Sequence, residues 1–131
     1  MRTANCTLNN IAQTLQKEKS VEFAYAYGSF LTRKDARDID IAVFLKGNGD
    51  HWMKAQEIAG RLENALSREY LIDAHLLNSS TPALAFEVIS KGRVLFERKK
   101  DDRLNWEART LSFYQDIRPM LQFHDRKFLS A

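Results

Sequence analysis

The sequence predicts an α/β (α+β) fold in which a single small mixed β-sheet is flanked by helices. Two observations carry that expectation. Apolar residues recur with period two in three short runs, a fourth short run is continuously apolar, and helical spacing marks the segments between them. The chain is also 131 residues long, enough to bury one core and short of a large second domain. The order of elements reads αβ(α)βαβαβα, which suits helices packed on one sheet.

Leu8, Ile11, Ala12 and Leu15 fall at i, i+3, i+4 and i+7, so residues 7–18 read as an amphipathic helix. Val21 to Tyr27 then alternates, with Val21, Phe23, Tyr25 and Tyr27 facing one way and Ala24 and Ala26 the other. That strand runs into Gly28-Ser29, a short helical turn and a polar segment, Thr32 to Arg37. Asp38 to Leu45 is a second strand, closed by the turn cluster Lys46-Gly47-Asn48-Gly49. Asp50 is placed to cap a helix carrying Trp52, Ala55, Ile58, Ala59, Leu62 and Leu66 on one stripe. Tyr70 to Leu77 is a third strand. Thr81-Pro82 starts a helix, with a hydroxyl acceptor at the cap and proline where no N–H is needed. This helix should end near Lys91 with Gly92 as its C-terminal cap. Arg93 to Glu97 is a fourth strand. A last helix runs from about Asp101 to Arg118, where Pro119 should kink or end it.

Composition excludes several classes of function. The hydrophobic fraction is 44% and the charged fraction 28%, as in ordinary globular proteins. Cys6 stands alone, so neither a disulfide framework nor a cysteine zinc cage is possible within the chain; it reads as a passive thiol. No metal-site spacing links His51 to His124. The net charge of +3 is compatible with a nucleotide or a nucleic acid and selects neither. There is no signal-peptide core, and the longest apolar runs are strand length, so no membrane span and a cytoplasmic location are expected.

The candidate chemistry gathers at the strand ends. Residues i and i+2 of a strand share a face, so Asp38 and Asp40 lie together with Cβ atoms roughly 7 Å apart. The opposite face of that strand is the apolar row Ile39, Ile41, Val43 and Leu45. Acids backed by a buried face are costly unless they meet solvent, a cation or a partner. Two such carboxylates can share Mg2+, which takes oxygen ligands from one or two carboxylates plus phosphate. In the third strand Ile72, Ala74 and Leu76 form the apolar row, leaving Asp73 and His75 on the other face, where Asp73 can reach the same cleft. His75 reads as a packed or hydrogen-bonded strand histidine. Gly28-Ser29 after a strand suits phosphate: glycine admits the ligand to the backbone, and the serine hydroxyl adds a donor. Arg33, Lys34 and Arg37 can supply positive charge nearby. A phosphate cradle with three carboxylates is what in-line nucleotidyl transfer needs, with two ions bridging the attacking and leaving oxygens.

Tyr27-Gly28-Ser29 followed by Asp38-Ile39-Asp40-Ile41 resembles the Gly-Ser…Asp-x-Asp signature of the DNA polymerase β-like nucleotidyltransferases. The small size resembles their minimal (MNT) members, the antitoxins of HEPN/MNT toxin–antitoxin pairs. Ile72-Asp73-Ala74-His75 matches the strand of the third carboxylate. Thr81-Pro82, Gly92 to Glu97 and Tyr114 to Leu121 resemble the elements that follow, so most of the chain is covered. The resemblance implies the nucleotidyltransferase fold over residues 1–131 as one domain. It implies ATP with Mg2+, two ions being expected, and transfer of AMP to a tyrosine of the cognate HEPN ribonuclease, which silences it. Asp38 and Asp40 then hold the metal, Asp73 acts as general base or assists a cation, and Gly28, Ser29 and Arg33 hold the nucleotide. The insert Phe30 to Arg37, eight residues, is shorter than the family's usual one.

The last helix carries two apolar stripes: Leu104, Ala108 and Leu111, and nearly opposite them Trp106, Thr110, Phe113 and Ile117. One can pack on the sheet. The other needs cover, from the tail residues Phe123, Phe128 and Leu129 or from the toxin, with Trp106, Phe113 and Ile117 as candidate contacts. Direct nucleic-acid binding is not expected. Two rival readings stand beside the transferase antitoxin. One is a non-catalytic binding module of the same fold. The other is a transferase acting on a small molecule or RNA, for which 131 residues leave little room.

Overall fold

The computed structural model describes the backbone of residues 2–130 and the side chains of residues 4–120. The elements are α1 (Arg2–Gln16), β1 (Val21–Tyr27), a 3-10 turn (Ser29–Leu31), β2 (Asp38–Leu45), α2 (His51–Ala65), β3 (Leu71–Leu76), α3 (Pro82–Lys91), β4 (Arg93–Glu97) and α4 (Lys100–Ser130). The strands form one sheet in the order β3-β2-β1-β4. β2 and β3 are parallel, and β1 is antiparallel to both β2 and β4, so the sheet is mixed as expected. The parallel pair requires a crossover, and α2 supplies it.

Capping residues set the helix starts. Asp50 Oδ1 accepts the Met53 N–H at 2.9 Å and opens α2. Thr81 Oγ1 accepts the Leu84 N–H at 3.2 Å and opens α3, with Pro82 in its first turn. Asn78 holds the far end of β2 by a pair of bonds: Leu45 N–H donates to its Oδ1 at 2.9 Å, and its Nδ2 donates to Leu45 O at 2.8 Å.

The sheet separates two apolar layers. Ile39, Ile41, Val43 and Leu45 of β2 join Ile72 of β3 and the stripes of α1 and α2 on one face. Phe23, Tyr25, Tyr27 and Ala42 face α3 and α4 on the other, with Leu77, Ala85, Val88 and Trp106. Val21 departs from the expected alternation and sits with Ala24 and Ala26 in the first layer. The reason is a register shift against β2 between Val21 and Phe23, which inserts one residue and turns Val21 over.

Two helix boundaries differ from expectation, and one cap that sits where expected differs in conformation. α1 begins at Arg2, before its apolar stripe, and Ala4 in that added turn packs on the first layer. Gly92 ends α3 with φ −78° and ψ 170°, extended rather than left-handed. Space, not φ, demands glycine there: a Cβ would collide with Val88 O and lie 3.1 Å from Ala26 O. α4 continues through Pro119 to Ser130 instead of ending at Arg118. Proline removes one N–H from the ladder, a local loss of about 3 kcal/mol that the turns on either side sustain.

α4 is tied to the sheet through charged groups as well as rings. Tyr25 Oη donates to Glu107, and Arg103 donates to Glu97 and, at 2.8 Å, to Glu107. Burial, then the Glu107 carboxylate, pushes the Tyr25 hydroxyl well above its ordinary range. Trp106 is 9% exposed, with ring centroids 5.4 Å from Phe23 and 6.0 Å from Tyr25. Of the residues expected to face a partner, Trp106 therefore belongs to the core, Ile117 is half-buried and Phe113 is 56% exposed. The side chains of Phe123, His124, Phe128 and Leu129 lie outside the described residues. Among the described residues no helix is long and apolar enough to cross a membrane.

Candidate active site

The second layer covers β1 and leaves the N-terminal ends of β2 and β3 open, and the acids stand in that opening. Asp40 is the register partner of Asp73 on β3 and of Tyr27 on β1, so three neighbouring strands present side chains in one row. The alternation of β2 buries Ile39 and Ile41 and forces Asp40 to the other face. The same alternation in β3 buries Ile72 and turns Asp73 and His75 toward Asp40.

His75 Nε2 lies 3.1 Å from Asp73 Oδ2 and 3.8 Å from Asp40 Oδ1. One donor atom from each of Asp40, Asp73 and His75 lies within 4.8 Å of the others. The His75 ring stands edge-on to Tyr27, 5.8 Å between centroids. Asp38, the first residue of β2, is exposed and stays outside this group, although its charge still acts on Asp40.

Asp40 is the perturbed carboxyl. Burial raises it first, then the Asp73 charge; His75 opposes this, and Asp38 adds to it. Tyr27 is pushed well up for the same reasons, burial first and then the charges of Asp40 and Asp73. Like charges facing each other in a partly desolvated row are what a bound cation relieves, so the residues present fit a divalent ion.

Gly28 meets this row from β1. Its backbone has φ +85° and ψ −161°, a region open in practice only to glycine. A Cβ there would collide with Asp40 Oδ2 and lie 3.3 Å from Asp40 Cγ. The glycine therefore brings the start of the 3-10 turn directly against the acid. Ser29 opens that turn and is exposed, and its carbonyl accepts the N–H groups of Thr32 at 3.0 Å and Arg33 at 2.8 Å. The first N–H groups of such a turn have no carbonyl partner within it.

The structure thus brings together Gly28, Ser29, Asp40 and Asp73, with Asp38 at the same strand end. Arg33 is placed differently. Its guanidinium donates to Asp35 at 3.2 Å, and among the described residues no ion pair joins it to the three acids. With Lys34 it borders a hollow beside Ala4, Phe30 and Tyr70, residues of the first layer. His75 is the group that sequence reading kept out of the site. Its position two residues after Asp73, on the same face, was the available signal.

The family model described as "Polymerase beta, Nucleotidyltransferase" matches residues 9–101. The protein adenylyltransferase MntA of Shewanella oneidensis is 30% identical over 102 residues, 74% of this chain and 68% of that protein. Among solved structures, the chain is similar to one of a tri-AMPylated Shewanella oneidensis HEPN toxin in complex with MNT antitoxin. The TM-score there is 0.75 at 26% identity, covering 96% of this chain and 98% of the matched one. A toxin–antitoxin structure with AMP-PNP gives a TM-score of 0.76 at 27% identity, over 93% of this chain and 98% of the matched one. The family model spans most of the chain, including both glycine and acids, and the chain belongs to the polymerase beta nucleotidyltransferase family.

Proposed function

We propose that this chain is an antitoxin that transfers AMP from ATP to a tyrosine hydroxyl of a HEPN ribonuclease toxin and so silences it. The observation that carries the reading is the contact of Gly28 with Asp40, which sets a phosphate-accepting turn against paired carboxylates. The similarity to MntA and to the AMPylated toxin complex supports the substrate and the partner. The AMP-PNP complex supports an adenine nucleotide as co-substrate. Residues 1–131 as one minimal nucleotidyltransferase domain, and a cytoplasmic location where ATP is available, belong to the same proposal.

In this reading Gly28 and Ser29 hold the triphosphate, with Arg33 added if its exposed pair with Asp35 opens. Asp38 and Asp40 hold Mg2+, expected as two ions. When bound, the metal neutralises phosphate oxygens and carboxylates at one place. The tyrosine oxygen forms a bond to the α-phosphorus as the bond to pyrophosphate breaks. The hydroxyl proton passes to Asp73, whose side chain is 65% exposed and open to an incoming acceptor, and from there to solvent. Phe113, exposed beside the groove of Leu77, Pro82 and Ala85, is the proposed partner contact on α4.

The test is incubation with labelled ATP, Mg2+ and the toxin. Label should move to the toxin with wild type and not with Asp38→Ala/Asp40→Ala, which should still bind the toxin. Full transfer by that variant overturns the mechanism. Tight binding without transfer by wild type identifies a non-catalytic module instead.

A further inference from the structure

We infer that His75 contributes a nitrogen ligand to the cation site, so that the site favours a first-row transition ion such as Mn2+ over Mg2+. The inference rests on the metal role proposed for Asp40 and refines which ion that role selects. Three observations lead to it. In the parallel register His75 lies beside Ala42, whose small side chain leaves the row next to Asp40 open to the imidazole. The ring is seated edge-on against Tyr27 and places Nε2 3.1 Å from Asp73 Oδ2 and 3.8 Å from Asp40 Oδ1. Its donor atom belongs to the same cluster as the two carboxylates, within 4.8 Å. An ion with metal–ligand distances of about 2.1 Å holds donors up to about 4.2 Å apart, close to the spacing already present.

The chemistry follows from the donor set. Mg2+ takes oxygen ligands and gives up its waters reluctantly. Imidazole nitrogen suits first-row transition ions; Mn2+ stands at the weak end of that series, so it is the most demanding probe of the preference as well as a spectroscopic one. A site built from the carboxylates of Asp40 and Asp73 alone offers oxygen only. The same site with His75 offers oxygen and nitrogen, which shifts the balance without moving a strand.

The experiment uses the full chain, with Mn2+ as the spectroscopic ion and Mg2+ as its competitor. Electron paramagnetic resonance measures bound Mn2+, and electron spin-echo modulation detects a directly bound 14N nucleus. Wild type should bind Mn2+, show the nitrogen coupling, and need a large excess of Mg2+ to displace it. Asp40→Asn should lose the ion. Loss of an outer-shell partner already costs about 10–100-fold in metal affinity, and loss of a ligand no less. His75→Ala should therefore bind Mn2+ at least tenfold more weakly and lose the coupling. His75→Gln, which restores an oxygen in place of the nitrogen, should lower the preference for Mn2+ over Mg2+. Should His75→Ala fail to fold, the wild-type coupling and the His75→Gln preference decide the matter. Mn2+ binding that needs Asp40 but shows no nitrogen coupling, or an unchanged preference in His75→Gln, overturns the inference and leaves the metal reading standing. No binding of either ion by wild type overturns both.

Discussion

Gly28→Ala tests the geometry most directly, because the structure assigns it two separable costs. The first is conformational: φ +85° with ψ −161° is a glycine-only region, and an alanine held there costs about 1–3 kcal/mol. The second is steric: the new Cβ meets Asp40 Oδ2, so the carboxylate must leave its rotamer, a further cost of about 0.5–1.5 kcal/mol. Together they come to about 1.5–4.5 kcal/mol, or a fall in Tm of roughly 5–20 °C for a chain of this size. Urea unfolding of wild type, Gly28→Ala, Asp40→Ala and the double variant separates them. The strain persists in both backgrounds, whereas the steric part vanishes once Asp40 is truncated. The coupling between the two positions should therefore equal the steric part. Nucleotide transfer should also be lost in Gly28→Ala, because the displaced carboxylate no longer faces Asp73. A Gly28→Ala protein within about 0.5 kcal/mol of wild type, or full additivity in the cycle, refutes the proposed contact.

Asp40 predicts a pH dependence. Its folded-state pKa is raised, so the native state holds this proton more tightly than the unfolded chain does. The resulting stability is present below the unfolded value and lost as pH rises through the folded one. In chelator, Asp40→Asn should therefore melt higher than wild type at neutral pH and lack that acid-to-neutral decline; a lower Tm at pH 7 contradicts the assignment. Asn78→Ala should cost about 1–3 kcal/mol in urea unfolding, since it strips both bonds from the Leu45 main chain. Trp106→Ala should cost about 3–5 kcal/mol, as for a core ring. Phe113→Asp should leave stability almost unchanged and weaken toxin binding in a titration, and equal binding would remove Phe113 from the interface.

The strand ends carry most of what the sequence alone makes legible. The alternation Asp38-Ile39-Asp40-Ile41 has only one arrangement with a buried face, and it presents both acids on the other. The alternation Ile72-Asp73-Ala74-His75 does the same for β3. Asp50 and Thr81-Pro82 mark helix starts because capping is a local interaction. Local rules fail where the deciding contact is distant in the chain. Period two puts Val21 with Phe23, and only pairing with β2 creates the shift that turns it over. Helical spacing makes two stripes on α4 equal, and only the aromatic row of β1 selects Trp106 for the core.

The sequence by itself therefore determined the element order, the acid-bearing faces and the family. These depend on periods of two and 3.6 and on motif spacing, all of which lie along the chain. Only the tertiary structure decided which acids meet. Asp40 and Asp73 are neighbours because β2 and β3 pair in parallel in one register, and a slip of one residue would have sent Asp73 to the other face. The same pairing admitted His75 to the site and kept Asp38 at its edge. Distances across strands are set by pairing and packing, which no single stretch of chain encodes.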